Sequence, residues 1–505
     1  MWASPPSHVA AGSSHLFRQM PAKDVDTMPS TPNAERAMSP EESAAAWIQQ
    51  LKRSRTQRAV IVGFVVQLVT VAFFNARLTI YFWRMFSVGT LLQMVLFSAL
   101  QQAYTVVHIH NLKGLTQVAP GLSRAFAIVS SPSALISLGV SCISAMLAYA
   151  VASGTSSSAL QSSCLRSDLV RLCAFSLAYQ LYVLVTLPQL TFPSLQLPMS
   201  VQIRSRMPHS LVAAMKLAGL TAVALSIVPF QWVLSLVLGE GLFLGTASEA
   251  CSFSLRGQVH FAFILAMLVF SWETLRHVVH VALTQSILVD DSTSISVPLL
   301  ARLIQMENEP YCRSLCLMEL SDVSQLSATA RSAIYEADDG KVWAQIVKTC
   351  TDLVDSLSLS LLETSHDDIK RRSAASLHAL GSNNPLVYRL CFRADDIVAA
   401  VQALTALIVH SIEEDSYGVV QRSFESIVGS LLGASMALEE FAHTCNGEPS
   451  QSSRPPSIDY NVLTLSNVFD LALYQIVSKF YVYLKDFSFP HDYAVRLRQY
   501  AAFDQ

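Results

Sequence analysis

The fold of this chain is decided by residues 258–283, QVHFAFILAMLVFSWETLRHVVHVAL. The stretch begins as an almost unbroken apolar run and ends with Glu273, Arg276, His277 and His280. The sequence before this stretch contains long apolar runs. The sequence after it has apolar residues at regular intervals, separated by polar ones. The sequence therefore predicts a membrane-spanning helix here, with a helical domain of different character after it.

The composition supports this division. Hydrophobic residues make up 52% of the 505 residues and charged residues only 14%, whereas a soluble protein carries roughly 25% charged residues. The charge deficit is concentrated between Ala59 and Leu283. The formal net charge is -3, so no basic field favours nucleic-acid binding. We expect an all-α protein with a tail, a membrane domain and a helical C-terminal domain.

The expected domains follow from these patterns. A disordered tail is predicted over residues 1–45, where Pro, Ser and Ala are frequent and apolar periodicity is absent. The membrane domain is predicted over residues 46–289. Its six transmembrane helices are expected at residues 59–77, 87–107, 134–153, 169–187, 211–238 and 258–281. The segments predicted on the same side of the membrane as the N-terminus carry more Lys and Arg than the segments on the opposite side. Because basic residues favour the cytosolic side, both termini should face the cytosol or nucleoplasm.

The predicted C-terminal domain covers residues 290–505. Amphipathic helices dominate it, most clearly over residues 341–362, where apolar residues recur three and four apart. Strands with a comparable alternating pattern are not evident. Flexible loops are expected near residues 365–384 and 445–461, which are polar and, in the second case, rich in Pro and Ser.

The nine cysteines are scattered and include no CxxC pair, so their spacing does not suggest zinc. We expect most of them to be buried free thiols. Cys164 and Cys251 fall in predicted lumenal loops. Because an oxidising lumen permits disulfides, we add the hypothesis that these two residues pair.

Motifs that carry catalysis are absent: the sequence has no Walker A loop, no GxSxG elbow and no HExxH helix. We therefore predict no catalytic residues, no cofactor and no metal. Glu273, His277 and His280 share one helix face, which is compatible with a metal or proton-relay site. Arg276 among them argues against cation binding, and their place at the cytosolic end of the span favours interfacial anchoring.

Several stretches of the C-terminal half resemble a known family. These are residues 310–320 (PYCRSLCLMEL), 331–343 (RSAIYEADDGKVW), 350–355 (CTDLVD), 413–421 (EEDSYGVVQ), 437–440 (ALEE) and 470–480 (DLALYQIVSKF). They are similar to the transmembrane nucleoporins of the nuclear division cycle type, which belong to the membrane ring of the nuclear pore complex. The membrane half matches that family in pattern alone.

This resemblance implies a role rather than a reaction. Such proteins anchor the pore scaffold in the nuclear envelope and take part in pore assembly and insertion, and hence in nucleocytoplasmic transport of protein and mRNA. The partners it implies are the bilayer, soluble inner-ring nucleoporins and an Aladin-type propeller protein, without nucleic acid or a small-molecule substrate. It implies the nuclear pore membrane as location, with the endoplasmic reticulum as a second one. Trp343, Tyr417 and Gly418 are the expected marks of the domain, as interaction or structural residues.

A second class of function remains open from the sequence. A polytopic transporter or lipid-handling protein of the endoplasmic reticulum would share the predicted layout. It would need functional polar groups within the spans, such as Arg171, Lys216 and Glu273.

Overall fold

The computed structural model describes residues 40–78, 88–113, 132–153, 161–186, 198–226, 255–286, 296–370, 393–446 and 456–502. Every regular element within these ranges is helical, so the predicted all-α class is confirmed for them. Most of the predicted tail lies outside the described residues. The first helix begins at Pro40, inside the last part of that predicted tail.

The membrane half is built from long helices around a central one. Within the described ranges they are α1 (Pro40–Leu78), α2 (Val88–Lys113), α3 (Pro132–Ser153), α4 (Gln161–Thr186), α5 (Met199–Ser226) and α6 (Leu255–Thr284). Helix α6 contains the stretch that decides the fold. Its residues 264–270 are all buried, and Trp272 is fully buried. A helix that is apolar on all sides is stable where neighbouring helices surround it, as here.

The ends of these helices meet in one apolar layer. The layer includes one residue from each of five helices: Ala59 of α1, Ile109 near the end of α2, Ala134 at the start of α3, Met199 at the start of α5 and Leu283 near the end of α6. Helices α1, α3 and α5 therefore run away from the layer, whereas α2 and α6 run towards it. Residues 44–58 of α1 and residues 284–286 at the end of α6 consequently lie on the same side of this layer.

Three helices of the described ranges are long and apolar enough to cross a membrane: Ser43–Phe73, Gln258–Thr284 and Ala394–Glu414. The first two coincide with the predicted spans at residues 59–77 and 258–281. The prediction of six spans is therefore wrong for the residues that the structure describes.

Three of the remaining predicted spans do not reach the length and apolar character of a crossing helix within the described residues. Helices α2 and α3 contain only the shorter apolar stretches Met94–Ile109 and Ala134–Tyr149, whereas a crossing helix needs about 20 apolar residues. In α4, Arg171 and Gln180 interrupt the apolar sequence. The predicted span at residues 211–238 is described only as far as Ser226, and the rest of it lies outside the described ranges, so this span stays a prediction.

The C-terminal half is a cluster of shorter helices. They are α7 (Val297–Gln305), α8 (Pro310–Leu326), α9 (Ala328–Glu336), α10 (Lys341–Lys370), α11 (Ala394–Glu414), α12 (Val419–Asn446), α13 (Pro456–Phe480) and α14 (His491–Ala502). Helix α11 is the third helix of membrane-crossing length. It packs against α8, α10 and α13, and most of its apolar side chains are buried, whereas Ile412 near its end is 45% exposed. Its apolar character is therefore explained by its place in the centre of this cluster.

The amphipathic pattern predicted over residues 341–362 is confirmed by α10. Its residues Trp343, Ile346, Cys350, Val354 and Leu357 are all buried in the C-terminal core. The helix continues to Lys370, so the first residues of the loop expected near 365–384 are helical. The rest of that loop, and residues 447–455 of the second, lie outside the described ranges.

Helix α1 joins the two halves of the molecule through one buried stripe. The stripe comprises Ala44, Ile48, Leu51, Arg55, Ala59, Gly63, Gln67 and Val71, with spacings of three and four residues. Ala44 and Ile48 belong to the C-terminal core, whereas Val71 belongs to the core of the membrane half. Residues Ala44–Gln505 consequently form one compact unit.

Helices α1 and α6 are also held together by a pair of polar side chains. The Gln67 Nε2 atom donates to the Ser271 carbonyl oxygen at 2.9 Å, and the Ser271 hydroxyl donates to Gln67 Oε1 at 2.8 Å. Both residues are fully buried. Reciprocal bonds of this kind fix the rotation of one helix against the other, because no water competes for the same groups.

We predict that this pair contributes about 1 kcal/mol of coupling to stability. The measurement is a double-mutant cycle with Gln67→Leu and Ser271→Ala, using thermal unfolding of the detergent-solubilised chain. Thr70→Val is the matched control, because the Thr70 hydroxyl donates to Val66 within α1 itself. A coupling energy of zero between Gln67 and Ser271 would contradict the prediction.

Candidate functional site

Arg55 lies where the two halves of the molecule meet. Its Nη1 atom donates to the Leu283 carbonyl oxygen at 2.6 Å, and its Nη2 atom donates to the Gln285 carbonyl oxygen. Helix α6 ends at Thr284, so these carbonyls have no partner further along that helix. The negative end of the helix dipole also favours a cation there. The buried guanidinium of Arg55 therefore completes the end of α6.

Tyr311 of α8 binds the same carbonyl group. Its hydroxyl donates to the Leu283 oxygen at 2.8 Å. Burial raises the pKa of Tyr311 to about 12, so the hydroxyl keeps its proton at physiological pH. The Leu283 carbonyl thus joins side chains from α1 and α8 at the end of α6. We call Arg55, Leu283, Gln285 and Tyr311 the membrane junction.

Two further contacts support the membrane junction. Lys52, one turn before Arg55 on α1, forms an ion pair with Glu309 at the start of α8. Beyond the end of α6, the Ser286 hydroxyl donates to the buried carboxylate of Glu319 at 3.1 Å. Both α1 and α6 are therefore fixed to α8 of the C-terminal cluster. This arrangement can transmit force between the membrane helices and that cluster.

The residues that carried the family resemblance meet at a second place. The Arg331 Nη2 and Nε atoms donate to the two carboxylate oxygens of Glu414, at 2.6 and 2.7 Å. Arg331 Nη1 also donates to the Ser324 carbonyl oxygen at 2.9 Å. Such a two-pronged pair fixes direction as well as distance. It ties α9 to the end of α11.

The aromatic residues of the same stretch are buried beside this pair. The Tyr335 hydroxyl donates to the Leu407 carbonyl oxygen at 2.7 Å. The ring of Trp343 lies edge-on to that of Tyr335, with 5.9 Å between the ring centroids. Trp343 Nε1 donates to the Ser423 hydroxyl of α12 at 2.9 Å. The structure thus places Trp343 in the core, where it links α10 to α9 and α12.

The turn before α10 has an unusual backbone. Asp338, Asp339 and Gly340 have φ values of 49°, 53° and 83°, in the left-handed region that favours glycine. A Cβ atom on Gly340 would lie 2.8 Å from Cγ1 of Val419. Gly340 therefore allows the turn to approach the first residue of α12.

The start of α12 is fixed from the other side by Asp415. Its Oδ2 atom accepts from the Val420 backbone N–H at 2.8 Å, and its Oδ1 atom accepts from the Tyr417 N–H at 3.2 Å. Gly418 between them has a φ of 62°, so glycine suits this position. We call Arg331, Glu414, Gly340, Gly418 and Val419 the motif cluster.

Tyr417 lies on the outside of the motif cluster. Its side chain is 65% exposed, although its backbone is fixed by Asp415. Trp343 and Gly418 maintain the local fold, whereas Tyr417 presents an aromatic side chain to the surroundings. An exposed aromatic residue on a fixed backbone loses little conformational entropy on binding, which suits a protein partner.

The charged residues near the end of α6 face two different neighbours. The Tyr179 hydroxyl of α4 donates to Glu273, whose Oε1 atom also lies 3.3 Å from Arg276 Nη1. His277 instead bonds the backbone of Gln202 in α5. His, Cys, Asp and Glu side chains of the described ranges form no group that could hold a metal ion.

The cysteines of the C-terminal core are buried thiols. Cys312, Cys316 and Cys350 form no disulfide bond within the described residues. Burial raises the pKa of the Cys350 thiol to about 12, and it also raises the pKa of Cys316. Both thiols are therefore protonated and unreactive at neutral pH. Cys251 and the side chain of Cys164 lie outside the described residues, so their pairing stays a prediction.

These features define a class of protein in which apolar helices of membrane-crossing length are joined to a helical C-terminal cluster. The family model described as Nucleoporin protein Ndc1-Nup matches residues 370–498. This match confirms the resemblance to transmembrane nucleoporins of the nuclear division cycle type. It includes the Glu414–Val419 side of the motif cluster but not Arg331 or Gly340. No curated protein matches the chain.

Sequence reasoning missed the membrane junction. The basic residues around Arg55 indicate the side of the membrane on which α1 begins, and their charge does not show that one of them is buried. The available signal was the regular spacing of Ile48, Leu51, Arg55 and Ala59, which places Arg55 on the buried stripe of α1.

We predict that Gly340→Ala destabilises the chain by about 3 kcal/mol, because it adds a clash with Val419 to the strain of a left-handed backbone. Thermal unfolding of the detergent-solubilised chain measures this effect. Gly429→Ala is the matched control, since its new Cβ would meet Tyr493 at 3.9 Å, an ordinary contact. Adding Val419→Ala should restore part of the loss, and a Gly340→Ala variant as stable as the control would contradict the account.

The Arg331–Glu414 pair predicts a dependence of stability on pH. Hydrogen bonding from Arg331 holds the pKa of Glu414 below its ordinary value of 4.5. A lowered carboxyl pKa stabilises the fold above the unfolded pKa, and this contribution is lost as the pH falls through the folded pKa. Glu414→Gln should therefore cost about 3 kcal/mol at neutral pH and progressively less in acid.

Unfolding of both forms across pH 3–7 is the measurement, and the exposed Glu413→Gln is its control for the change in net charge. A difference between wild type and Glu414→Gln that stays constant down to the lowest pH would refute the role of this ion pair.

Proposed function

We propose that this chain is a membrane-anchoring nucleoporin that tethers the nuclear pore scaffold to the nuclear envelope. The observation that carries the proposal is the membrane junction. Arg55 and Tyr311 bind the end of α6 from α1 and α8. An anchor needs such a connection, because a scaffold bound to the C-terminal cluster would otherwise pull on a flexible linker.

The arrangement of helices supports the proposed topology. Helix α1 runs away from the apolar layer and helix α6 runs back to it. The chain from α1 through α6 would therefore cross the membrane an even number of times. The basic residues 52–58 precede the layer, and such residues favour the cytosolic side. We therefore place both termini on the cytosolic and pore side of the nuclear pore membrane. Residence in the endoplasmic reticulum remains part of the proposal.

The C-terminal cluster would provide the surface for partners. Its central helix α11 is covered by other helices, which supports a soluble domain. The proposed partners are soluble inner-ring nucleoporins and an Aladin-type propeller protein, with exposed Tyr417 as a contact. Roles in pore assembly and insertion, and in transport of protein and mRNA, would follow from this anchoring.

Imaging and co-purification together test the proposal. A tagged full-length chain should co-localise with a scaffold nucleoporin at the nuclear rim and co-purify inner-ring nucleoporins. A chain truncated after Thr284 should still resist alkaline carbonate extraction, because it keeps α1 and α6, but should lose those partners. Partner recovery that survives truncation would overturn the adaptor role of the C-terminal cluster.

Tyr417→Ala refines the same experiment. We expect it to lower partner recovery without lowering the unfolding temperature, because Tyr417 is 65% exposed. Tyr460→Ala is the matched control, since Tyr460 is 69% exposed on a different helix. Equal recovery with both variants would remove Tyr417 from the partner surface.

A further inference from the structure

Helix α13 carries an exposed apolar stripe on the side that faces away from the core. The stripe consists of Tyr460, Leu463, Asn467, Leu471 and Tyr474. Its four apolar residues are 69%, 61%, 57% and 38% exposed in chain order. Spacings of three and four residues place all five on one helix face, whereas the opposite face is buried in the C-terminal core. An exposed stripe of this kind is typical of a surface that another helix covers. We call these residues the α13 stripe.

The α13 stripe reads the same in both directions from its centre. Leu463 and Leu471 lie four residues before and after Asn467, and Tyr460 and Tyr474 lie seven residues before and after it. A two-fold axis at Asn467 would therefore place Leu463 of one copy opposite Leu471 of a second copy. It would place Tyr460 opposite Tyr474 in the same way. An interface between two identical chains requires this self-complementarity, because each patch must fit its own copy.

Two depressions flank the α13 stripe. The depression towards α14 has a volume of about 800 Å³ and is lined by Leu471, Tyr474 and Tyr500. The depression towards α11 has a volume of about 560 Å³ and is lined by Leu471, Tyr474 and Val409. The wall on α14 is fixed, because the Tyr500 hydroxyl donates to Asp470 Oδ1 at 2.6 Å. Leu471 and Tyr474 thus form a ridge between two depressions, and side chains of a second helix can enter these depressions.

The charge of this surface favours a second copy as the occupant. The exposed residues of α13 from Tyr460 to Ser478 are all uncharged. A two-fold contact brings residues near the axis opposite their own copies, so a charge there would face a like charge. A helix that lies on lipid usually has basic residues beside its apolar face, and the exposed face between Tyr460 and Ser478 carries none. Charge complementarity is therefore met by the chain itself.

Asn467 would define the register of the contact. Its amide can donate one hydrogen bond to the Asn467 amide of a second copy and accept one from it. A single polar residue within an apolar contact between helices fixes their register, because any other alignment leaves that group unpaired. The residue at the centre of the α13 stripe is thus the one that suits a position on the two-fold axis.

We propose that two copies of this chain associate through the α13 stripe, in antiparallel orientation about a two-fold axis at Asn467. The four apolar side chains expose on the order of 400 Å² in each copy, since a whole aromatic side chain contributes about 200 Å². Two copies would bury about 800 Å² from the stripe, and the walls of the depressions add to this area. An interface of this size corresponds to a weak and reversible association. The proposal goes beyond membrane anchoring and does not depend on it.

Energy transfer between donor- and acceptor-tagged copies of the full-length chain tests the proposal. Both copies are reconstituted into phosphatidylcholine vesicles over a series of protein-to-lipid ratios, which gives an apparent dissociation constant. We expect the wild-type chain to show more transfer than randomly distributed copies. Leu463→Lys and Leu471→Glu should each weaken association at least about ten-fold, because each places a charge opposite a buried leucine twice in one dimer.

Combining the two substitutions tests the register. Leu463→Lys/Leu471→Glu should regain at least about three-fold in association over either single variant, since the antiparallel register places the introduced opposite charges next to each other. Donor-tagged Leu463→Lys mixed with acceptor-tagged Leu471→Glu should also associate better than either variant with itself. In a parallel dimer each position faces its own copy. A double variant that associates no better than the single variants would therefore overturn the antiparallel register.

Two matched variants control for the introduced charges. Leu326→Lys and Leu359→Glu change leucines of α8 and α10 that are 79% and 60% exposed, and they should leave association at the wild-type level. Thermal unfolding of every variant separates lost association from lost folding. Transfer at the random level in the wild-type chain refutes the proposal, and so does an equal loss for the stripe and control variants.

The remaining outcomes distinguish this surface from the proposed partner surface. Tyr460→Ala should weaken self-association and leave recovery of inner-ring nucleoporins unchanged, whereas Tyr417→Ala should do the reverse. If the wild-type chain is monomeric and the stripe variants instead lower recovery of nucleoporins, the α13 stripe binds a different protein and self-association fails. Self-association that persists when no nucleoporin is recovered would support the present proposal while the proposed function fails.

Discussion

The structure depends on one buried cation at the end of a helix. Arg55 supplies two donors to carbonyl groups that α6 cannot satisfy itself, and Tyr311 supplies a third. These bonds are strong because the site is buried and the donor is charged. They fix α1, α6 and α8 to one another at the border between the membrane half and the C-terminal cluster. They add directional bonds to the connection that the buried stripe of α1 and the Ser286–Glu319 hydrogen bond also make.

The motif cluster applies a comparable constraint within the C-terminal cluster. Two stretches, residues 331–343 and 414–419, are far apart in sequence. They share an ion pair and a close contact between Gly340 and the Val419 side chain. The ion pair sets the distance between α9 and α11, and Gly340 sets the approach to α12. Residues that look like a family signature in the sequence are thus, for the most part, the contacts that hold five helices together. Tyr417 is the exposed aromatic residue at the start of α12, with 65% of its surface accessible, and this makes it the candidate for recognition.

Much of this organisation could be predicted because it is local. The apolar run at residues 258–283 and the spacing of Trp343, Ile346 and Cys350 each imply a helix and its buried face. Six spans are predicted when each long apolar run is taken as a span without regard to the polar residues within it, such as Arg171 and Gln180 in α4. For α11, the sequence predicts an amphipathic helix of the C-terminal domain, and its packing against α8, α10 and α13 confirms this. Burial of Arg55 could not be predicted either, since a basic residue beside a span is normally solvated.

By itself, the sequence determined the all-helical class, the division at residues 258–283 and the resemblance to a nucleoporin family. These follow from periodicity, length and short motifs, which act over a few turns of one helix. Only the tertiary structure decided which polar groups meet: Arg55 with Leu283, Gln67 with Ser271, Arg331 with Glu414. The physical reason is that each of these bonds joins residues far apart along the chain. The energy of each bond depends on the distance between the two partners and on their burial. The local sequence around one partner does not determine that distance or that burial.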